Sequence, residues 1–236
     1  MTSRVVAPDT GLLLAIGYGK AIDPKAPGAV DALQLVKSRG LPLILLDTVK
    51  DELNSKLNDI AEVIPALQHA FESIPDNESA GDLVAIERVI VEAKAQAPPR
   101  VVRYFDALEA EVVELCRANP GLQGSYLISL VLGVAVALAE GVRARVDALR
   151  LEDFSPTGAP QPTPASVPGV TGMDFAHIQR CEQLGLARDC HVVFLVFDAL
   201  LHARQKSISL AFPHVIVTTP NFLSEHIAGQ QSPSDE

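Results

Sequence analysis

The stretch "LPLILLDTVKDELNSKLNDI", residues 41–60, contains the two patterns that decide the fold. Its first part, residues 41–47, is a continuous apolar run closed by an acid, which is typical of a strand buried on both faces. Its second part has helical spacing, with Thr48 as a candidate N-cap and acids at Asp51 and Glu52 in the first turn. A buried strand that leads directly into a helix predicts one unit of a parallel α/β sheet.

Similar units occur on both sides of this stretch. The segment "RVVAPDTGLLLAIG" predicts a first strand that ends at Asp9, and residues 26–39 have helical spacing with Gly40 as a stop signal. The fold class is therefore α/β with a parallel sheet. Near the C-terminus we predict helices over 174–186, 187–206 and 221–228, with one or two strands in 207–219.

The middle of the chain has helical patterns only. Three long helices are predicted over residues 83–97, 100–118 and 125–149. The third is apolar nearly all round, so it lies either in the centre of the helical part or at a subunit interface. Its uncharged run, Tyr126–Ala139, is shorter than the roughly 20 residues that span a bilayer, so we expect no membrane partner.

These patterns divide the chain into four parts. An α/β domain combines residues 1–60 with 174–228, and a helical insertion fills 61–153. Residues 154–173, rich in Pro, Gly, Ser and Thr, are predicted to be a linker or mobile loop, and 229–236 a disordered tail.

Charge and cysteine content narrow the functional classes. A net charge of -10 disfavours non-specific binding to nucleic acid or anionic membranes, unless metal ions supply positive charge at a site. The three cysteines have no CxxC spacing and fit reduced thiols better than a disulfide framework or a zinc site. Since the N-terminus has no convincing signal peptide, we expect a soluble cytoplasmic protein.

Three acidic residues occupy positions where an active site is expected, because sites in parallel sheets form beyond the carboxyl ends of the strands. Asp9 ends the first strand, Glu52 follows the second strand, and Asp189 begins the long helix before the last strand. Carboxylates gathered at one edge repel each other unless a divalent cation holds them, which predicts Mg2+ or Mn2+ and hydrolysis of phosphate esters. By composition alone, Asp51 is an equal rival of Glu52.

In their order, these segments resemble the PIN domain, a family of metal-dependent nucleases. "VVAPDTGLLLAI" is similar to the first strand of the family, and "LPLILLDTVKDELNSKL" to its second strand and "V…EL" helix. "LGLARDCHVVFLVFDALLHA" resembles the third block, in which an Asp opens a helix, and "HVIVTTPNFLSE" the last strand with its Thr and Phe. The resemblance implies a three-layer fold with a parallel sheet, here with a long helical insertion.

The resemblance also assigns roles to residues. It implies that Asp9, Glu52 and Asp189 are catalytic metal ligands and that the Thr218 hydroxyl helps to orient the site. Thr219-Pro220-Asn221 stands where the family commonly has a fourth acid, and Asn221 is the remaining candidate ligand, weaker than a carboxylate. Asp198 is predicted to lie about two and a half turns along the same helix as Asp189 and not to share the ion.

Two functions are compatible with this resemblance. One is a Mg2+- or Mn2+-dependent endoribonuclease that cleaves single-stranded RNA, with an antitoxin as protein partner if it is the toxin of a toxin–antitoxin pair. The other is a PIN-like module with weakened or lost catalysis that acts by binding protein or RNA. The missing fourth acid and the net charge favour the second function, whereas three acids in the expected order favour the first. A homodimer is compatible with both.

Overall fold

The computed structural model describes residues 3–20, 22–72, 83–119, 125–156, 166–170 and 172–228. The predicted tail and half of the predicted linker lie outside these residues. Two compact units are present. The described residues of Met1–Ile16, Lys25–Leu53 and Val146–Glu236 form the first unit, and those of Gly17–Pro24 and Asn54–Arg145 form the second.

Parallel strands form the centre of the first unit. They are β1 (Ser3–Pro8), β2 (Ile44–Leu46), β3 (Glu152–Phe154), β4 (Cys190–Leu195) and β5 (Val215–Thr218). One sheet has the order β1-β4-β5, and β2 pairs with β3. A parallel bridge from Val6 to Leu43 connects β1 with the segment that leads into β2. Because all these pairings are parallel, the carboxyl ends of β1, β4 and β5 lie at one edge of the sheet, which we call the carboxyl edge.

Helices make up most of the remaining described residues. They are α1 (Thr10–Tyr18), α2 (Ala26–Ser38), α3 (Asp47–Glu72), α4 (Leu83–Gln96), α5 (Val102–Ala118), α6 (Ser125–Asp147), α7 (Gly172–Arg188), α8 (Ala199–Ala203), α9 (Gln205–Ala211) and α10 (Leu223–Ile227). Short 3-10 turns, Pro99–Val101 and Pro220–Phe222, precede α5 and α10. The three long helices predicted between residues 83 and 149 are confirmed.

The β1-β4-β5 sheet lies between helices because its central strand is apolar on both faces. On one face, Val193 and Leu195 of β4 belong to a core cluster with residues of α1, α2 and α10. On the other face, the ring of Phe194 lies 6.1 Å from that of His177 in α7. A strand that is apolar on both faces is typical of a covered parallel sheet. The predicted fold class, α/β with a parallel sheet between helices, is confirmed.

The helix predicted over 187–206 is wrong in its first half. Residues 190–195 are the central strand, paired in parallel with β1 from Ser3–Cys190 to Pro8–Leu195. Its sequence, "CHVVFL", is rich in β-branched and aromatic residues, which favour a strand over a helix. One strand, β5, is present in 207–219, and β3 was not predicted.

Helix α6 is apolar over most of its surface but is buried along one stripe. The buried side chains include Leu127, Val131, Ala135 and Val142. Within the described residues, the segment Tyr126–Asp147 has the length and composition to cross a membrane, and 22% of its most apolar window is buried. The uncharged run Tyr126–Ala139, from which we expected no membrane partner, therefore covers only part of the apolar helix. Helix α6 is therefore less buried than a helix at the centre of the helical part would be.

Candidate metal centre

Asp9 lies between the end of β1 and the start of α1. Its N–H donates to the carbonyl of Leu195 at 2.9 Å, and its own carbonyl accepts from the N–H groups of Leu12 and Leu13 at 3.1 Å. Its carboxylate accepts from the N–H of Gly11 at 3.0 Å. The carboxylate is therefore held at the N-terminus of α1, where the helix dipole favours negative charge.

Glu52 reaches the same edge from α3. Because α3 begins at Asp47, directly after β2, its first turns lie beyond the carboxyl end of that strand. The buried hydroxyl of Thr10 donates to Glu52 Oε2 at 2.7 Å. The Glu52 side chain is 22% exposed, whereas Asp51 is exposed and does not belong to the ligand group. Of the two rival acids, Glu52 is the one at the site.

The third side chain is that of His177 in α7, which the sequence analysis did not select. It is 1% exposed, with Nε2 at 2.9 Å from Glu52 Oε2 and Nδ1 at 2.9 Å from Thr48 Oγ1. Because a carboxylate only accepts, the Nε2–H donates to Glu52. One turn further along α7, Arg180 forms an ion pair with Asp47 at 2.7 Å, which also holds α7 against the start of α3.

Asp9, Glu52 and His177 together could hold a metal ion. One ligand atom from each lies within 4.8 Å of the other two. Two donors bound to one cation at roughly 2.1 Å are at most about 4.2 Å apart, so small side-chain rotations bring all three onto one ion. Carboxylate oxygens and an imidazole nitrogen are suitable ligands for a divalent metal. The donor set therefore fits a divalent cation, with His177 in place of a third acid.

Negative charge in this group is unfavourable when no cation is bound. Burial raises the pKa of the Asp9 carboxyl and the Glu52 carboxylate adds to the effect, while the Gly11 N–H and His177 oppose it. Burial, together with Glu182 and Asp9, raises the pKa of the Cys181 thiol well above its usual value. Cys181 is fully buried, and its raised pKa favours the protonated thiol, which is the less nucleophilic form.

Without metal, replacing Asp9 by Asn is expected to stabilise the protein at neutral pH by about 0.5–2 kcal/mol. Asn is an equally good N-cap but lacks the buried charge. Because folding raises the pKa of Asp9, its contribution to stability is full below the ordinary value of 3.8 and is lost as the pH rises through the raised pKa. The melting temperature of the variant in EDTA should therefore exceed that of the wild type increasingly between acidic and neutral pH. A constant difference, or none, would contradict this.

Asp189 does not belong to the group. It precedes Cys190, which pairs with Ser3 at the start of β1, whereas Asp9 follows Pro8 at the other end of the same pairing. The 6 residues of β4, roughly 20 Å of strand, therefore separate the two acids. The side chain of Asp189 is exposed and its φ is 48°. The prediction that Asp189 joins Asp9 and Glu52 is wrong, because a strand replaces the predicted helix.

Thr218 and Asn221 lie at and just beyond the end of β5, which is on the far side of β4 from β1. Thr218 is the last residue of β5, is buried, and its hydroxyl donates to the carbonyl of Thr219 at 3.4 Å. Asn221 is exposed in the 3-10 turn that follows. Neither is part of the Asp9 group, so their roles in catalysis and metal binding stay predictions.

Asp198 follows β4 at the carboxyl edge rather than lying on a long helix. Its carboxylate caps α8 by accepting from the N–H groups of Leu200 and Leu201 at 2.7 and 3.0 Å. The prediction that Asp198 lies on the same helix as Asp189 is therefore wrong. Its contacts nevertheless give it the role of an N-cap.

The fold and the donor set together define a candidate divalent-cation centre at the carboxyl edge of a parallel α/β sheet. No protein-family model, curated protein or solved structure matches the chain at a significant level. The functional evidence therefore lies in the donors, their charges and their positions.

Proposed function

We propose that this protein is a divalent-metal-dependent phosphodiester hydrolase of the PIN-like type, with RNA as its substrate. The observation that carries the proposal is the convergence of Asp9, Glu52 and His177 at the carboxyl edge. A cation bound by such residues activates water and stabilises negative charge on the leaving oxygen. The positions of Asp9 after β1 and Glu52 after β2 support the resemblance to the PIN domain.

Neighbouring residues orient the three ligands. The Thr10 hydroxyl holds Glu52, the Gly11 N–H holds Asp9, and Thr48 holds the Nδ1 side of His177. Such outer contacts fix the rotamers of metal ligands and raise affinity. For Nε2 of His177 to bind a cation, the neutral ring would carry its proton on Nδ1, where Thr48 Oγ1 can accept it.

The donor set favours Mn2+ over Mg2+. Imidazole nitrogen suits first-row transition metals, whereas Mg2+ prefers oxygen ligands and retains several waters. Two carboxylates and one imidazole are therefore a better set for Mn2+. We propose Mn2+ as the cofactor, with Mg2+ as a weaker substitute.

Cleavage of a labelled single-stranded RNA tests the proposed function. The wild type should cleave it with Mn2+, more slowly with Mg2+, and not in EDTA. Mn2+ should also raise the melting temperature, because a ligand that binds only the folded state stabilises it. A rise in melting temperature without cleavage would contradict hydrolysis, and no rise would contradict the cation site.

A PIN-like module without catalysis is the alternative proposal. It is favoured by the position of Asp189 at the opposite edge, which leaves two carboxylates and one imidazole for a single ion. Hydrolysis through two metal ions needs further ligands. In this form the protein acts in the cytoplasm by binding a protein such as an antitoxin, an RNA, or a second copy of itself at α6.

A further inference from the structure

Aromatic side chains lie beyond the ends of β4 and β5, at the same carboxyl edge as Asp9. The rings of His202 in α8 and Phe222 after β5 are stacked, with centroids 5.1 Å apart and planes at 16°. Phe222 is 44% exposed, and Leu200 of α8 is 69% exposed. An apolar surface with one aromatic pair is therefore open to solvent at this edge.

The His202 ring, on which Phe222 stacks, is held in place by the fold. His202 Nδ1 lies 3.2 Å from the carbonyl of Val217, so Nδ1 carries the proton and the ring is fixed against β5. Phe222 ends the 3-10 turn that follows β5. A ring that is fixed before a ligand arrives loses little entropy on binding.

A positively charged side chain, that of Lys25, lies near the end of β4. Lys25 Nζ lies 5.4 Å from the centroid of the Phe197 ring, two residues beyond the end of β4. Lys25 is exposed. Single-strand binding surfaces combine cations that contact phosphates with aromatic rings that receive bases. Lys25, beside Phe197 after β4, and the His202–Phe222 pair after β5 supply both kinds of group.

We propose that Phe222, His202 and Leu200 form a base-binding surface for the RNA substrate, with Lys25 contacting its backbone. This proposal rests on the proposed function. The register places Pro8, Leu195 and Thr218 side by side across the three strands. At roughly 4.8 Å between strands, the end of β5 lies about 10 Å from Asp9. The end of the strand that leads to Phe222 is thus separated from the end of the strand that leads to Asp9 by about three stacked nucleotides at roughly 3.4 Å each.

Fluorescence anisotropy with a short, labelled, phosphorothioate single-stranded RNA tests the surface, because this RNA resists cleavage. Phe222→Ala should weaken binding about tenfold or more, since stacking on an aromatic ring is worth about 1–3 kcal/mol per base. Phe222→Tyr keeps the ring and should bind like the wild type. Leu210→Ala, which removes an 86% exposed side chain of α9, should leave binding unchanged.

Three results would overturn the surface. The first is equal affinity of Phe222→Ala and the wild type, and the second is no binding of RNA by the wild type. The third is an equal loss in Phe222→Ala and Phe222→Tyr, because the ring would then not be the cause. Failure of the cation site is recognised separately: the melting temperature would then be the same in EDTA and in Mn2+. Failure of the base-binding surface leaves the rise in melting temperature with Mn2+ intact.

Discussion

Replacing Glu52 by Gln is expected to lower Mn2+-dependent RNA cleavage at least about a hundredfold. The carboxylate of Glu52 is one of the three donors, and a bound cation contributes several kcal/mol to stabilising the developing charge. Each 1.36 kcal/mol lost is about tenfold in rate. Initial rates at saturating Mn2+ measure the effect. Gln retains an oxygen that accepts from Thr10, so the fold should be preserved.

The adjacent acid provides a matched control. Asp51 has the same charge and lies in the same turn of α3, but it is exposed and outside the ligand group. Asp51→Asn should therefore cleave RNA at the rate of the wild type. If the two variants lose activity equally, general electrostatics rather than ligation by Glu52 explains the loss.

The second large effect is expected at His177. His177→Ala should weaken Mn2+ binding by about 10–100-fold or more, because it removes a buried ligand at the site. His177→Asp should restore part of the affinity and shift the preference toward Mg2+, because all three donors are then oxygens. Isothermal titration calorimetry with each metal measures both changes.

Asp189→Asn is the control for this experiment. Asp189 lies at the opposite edge of the sheet with a φ of 48°, a conformation that Asn also tolerates. The variant should bind Mn2+ like the wild type. Loss of affinity in Asp189→Asn, or unchanged affinity in His177→Ala, would show that the assignment of ligands is wrong.

Two of the three donors could be placed from local sequence patterns. Asp9 follows an apolar strand, and Glu52 follows a buried strand that leads straight into a helix. In both cases a few consecutive residues determine the element, and the parallel sheet then brings the strand ends to one edge. The fold class could be predicted for the same reason.

The third donor depends on long-range packing and could not be placed in this way. The run "CHVVFLVF" is apolar except for His191, so periodicity does not distinguish a strand from a buried helix, and Asp189 was assigned to the wrong edge. A local signal for His177 did exist. With Cys181 and Leu184 it forms an i, i+4, i+7 stripe that is buried in α7. That the stripe faces Glu52 follows only from how α7 packs on α3.

The most direct test of the cation site is the anomalous diffraction of a crystal soaked in Mn2+. We expect one strong peak at roughly 2.1 Å from a carboxylate oxygen of Asp9, one of Glu52 and a ring nitrogen of His177. A Mn2+ peak elsewhere on the protein, or no peak while these side chains keep their hydrogen bonds to each other, would contradict the proposed centre.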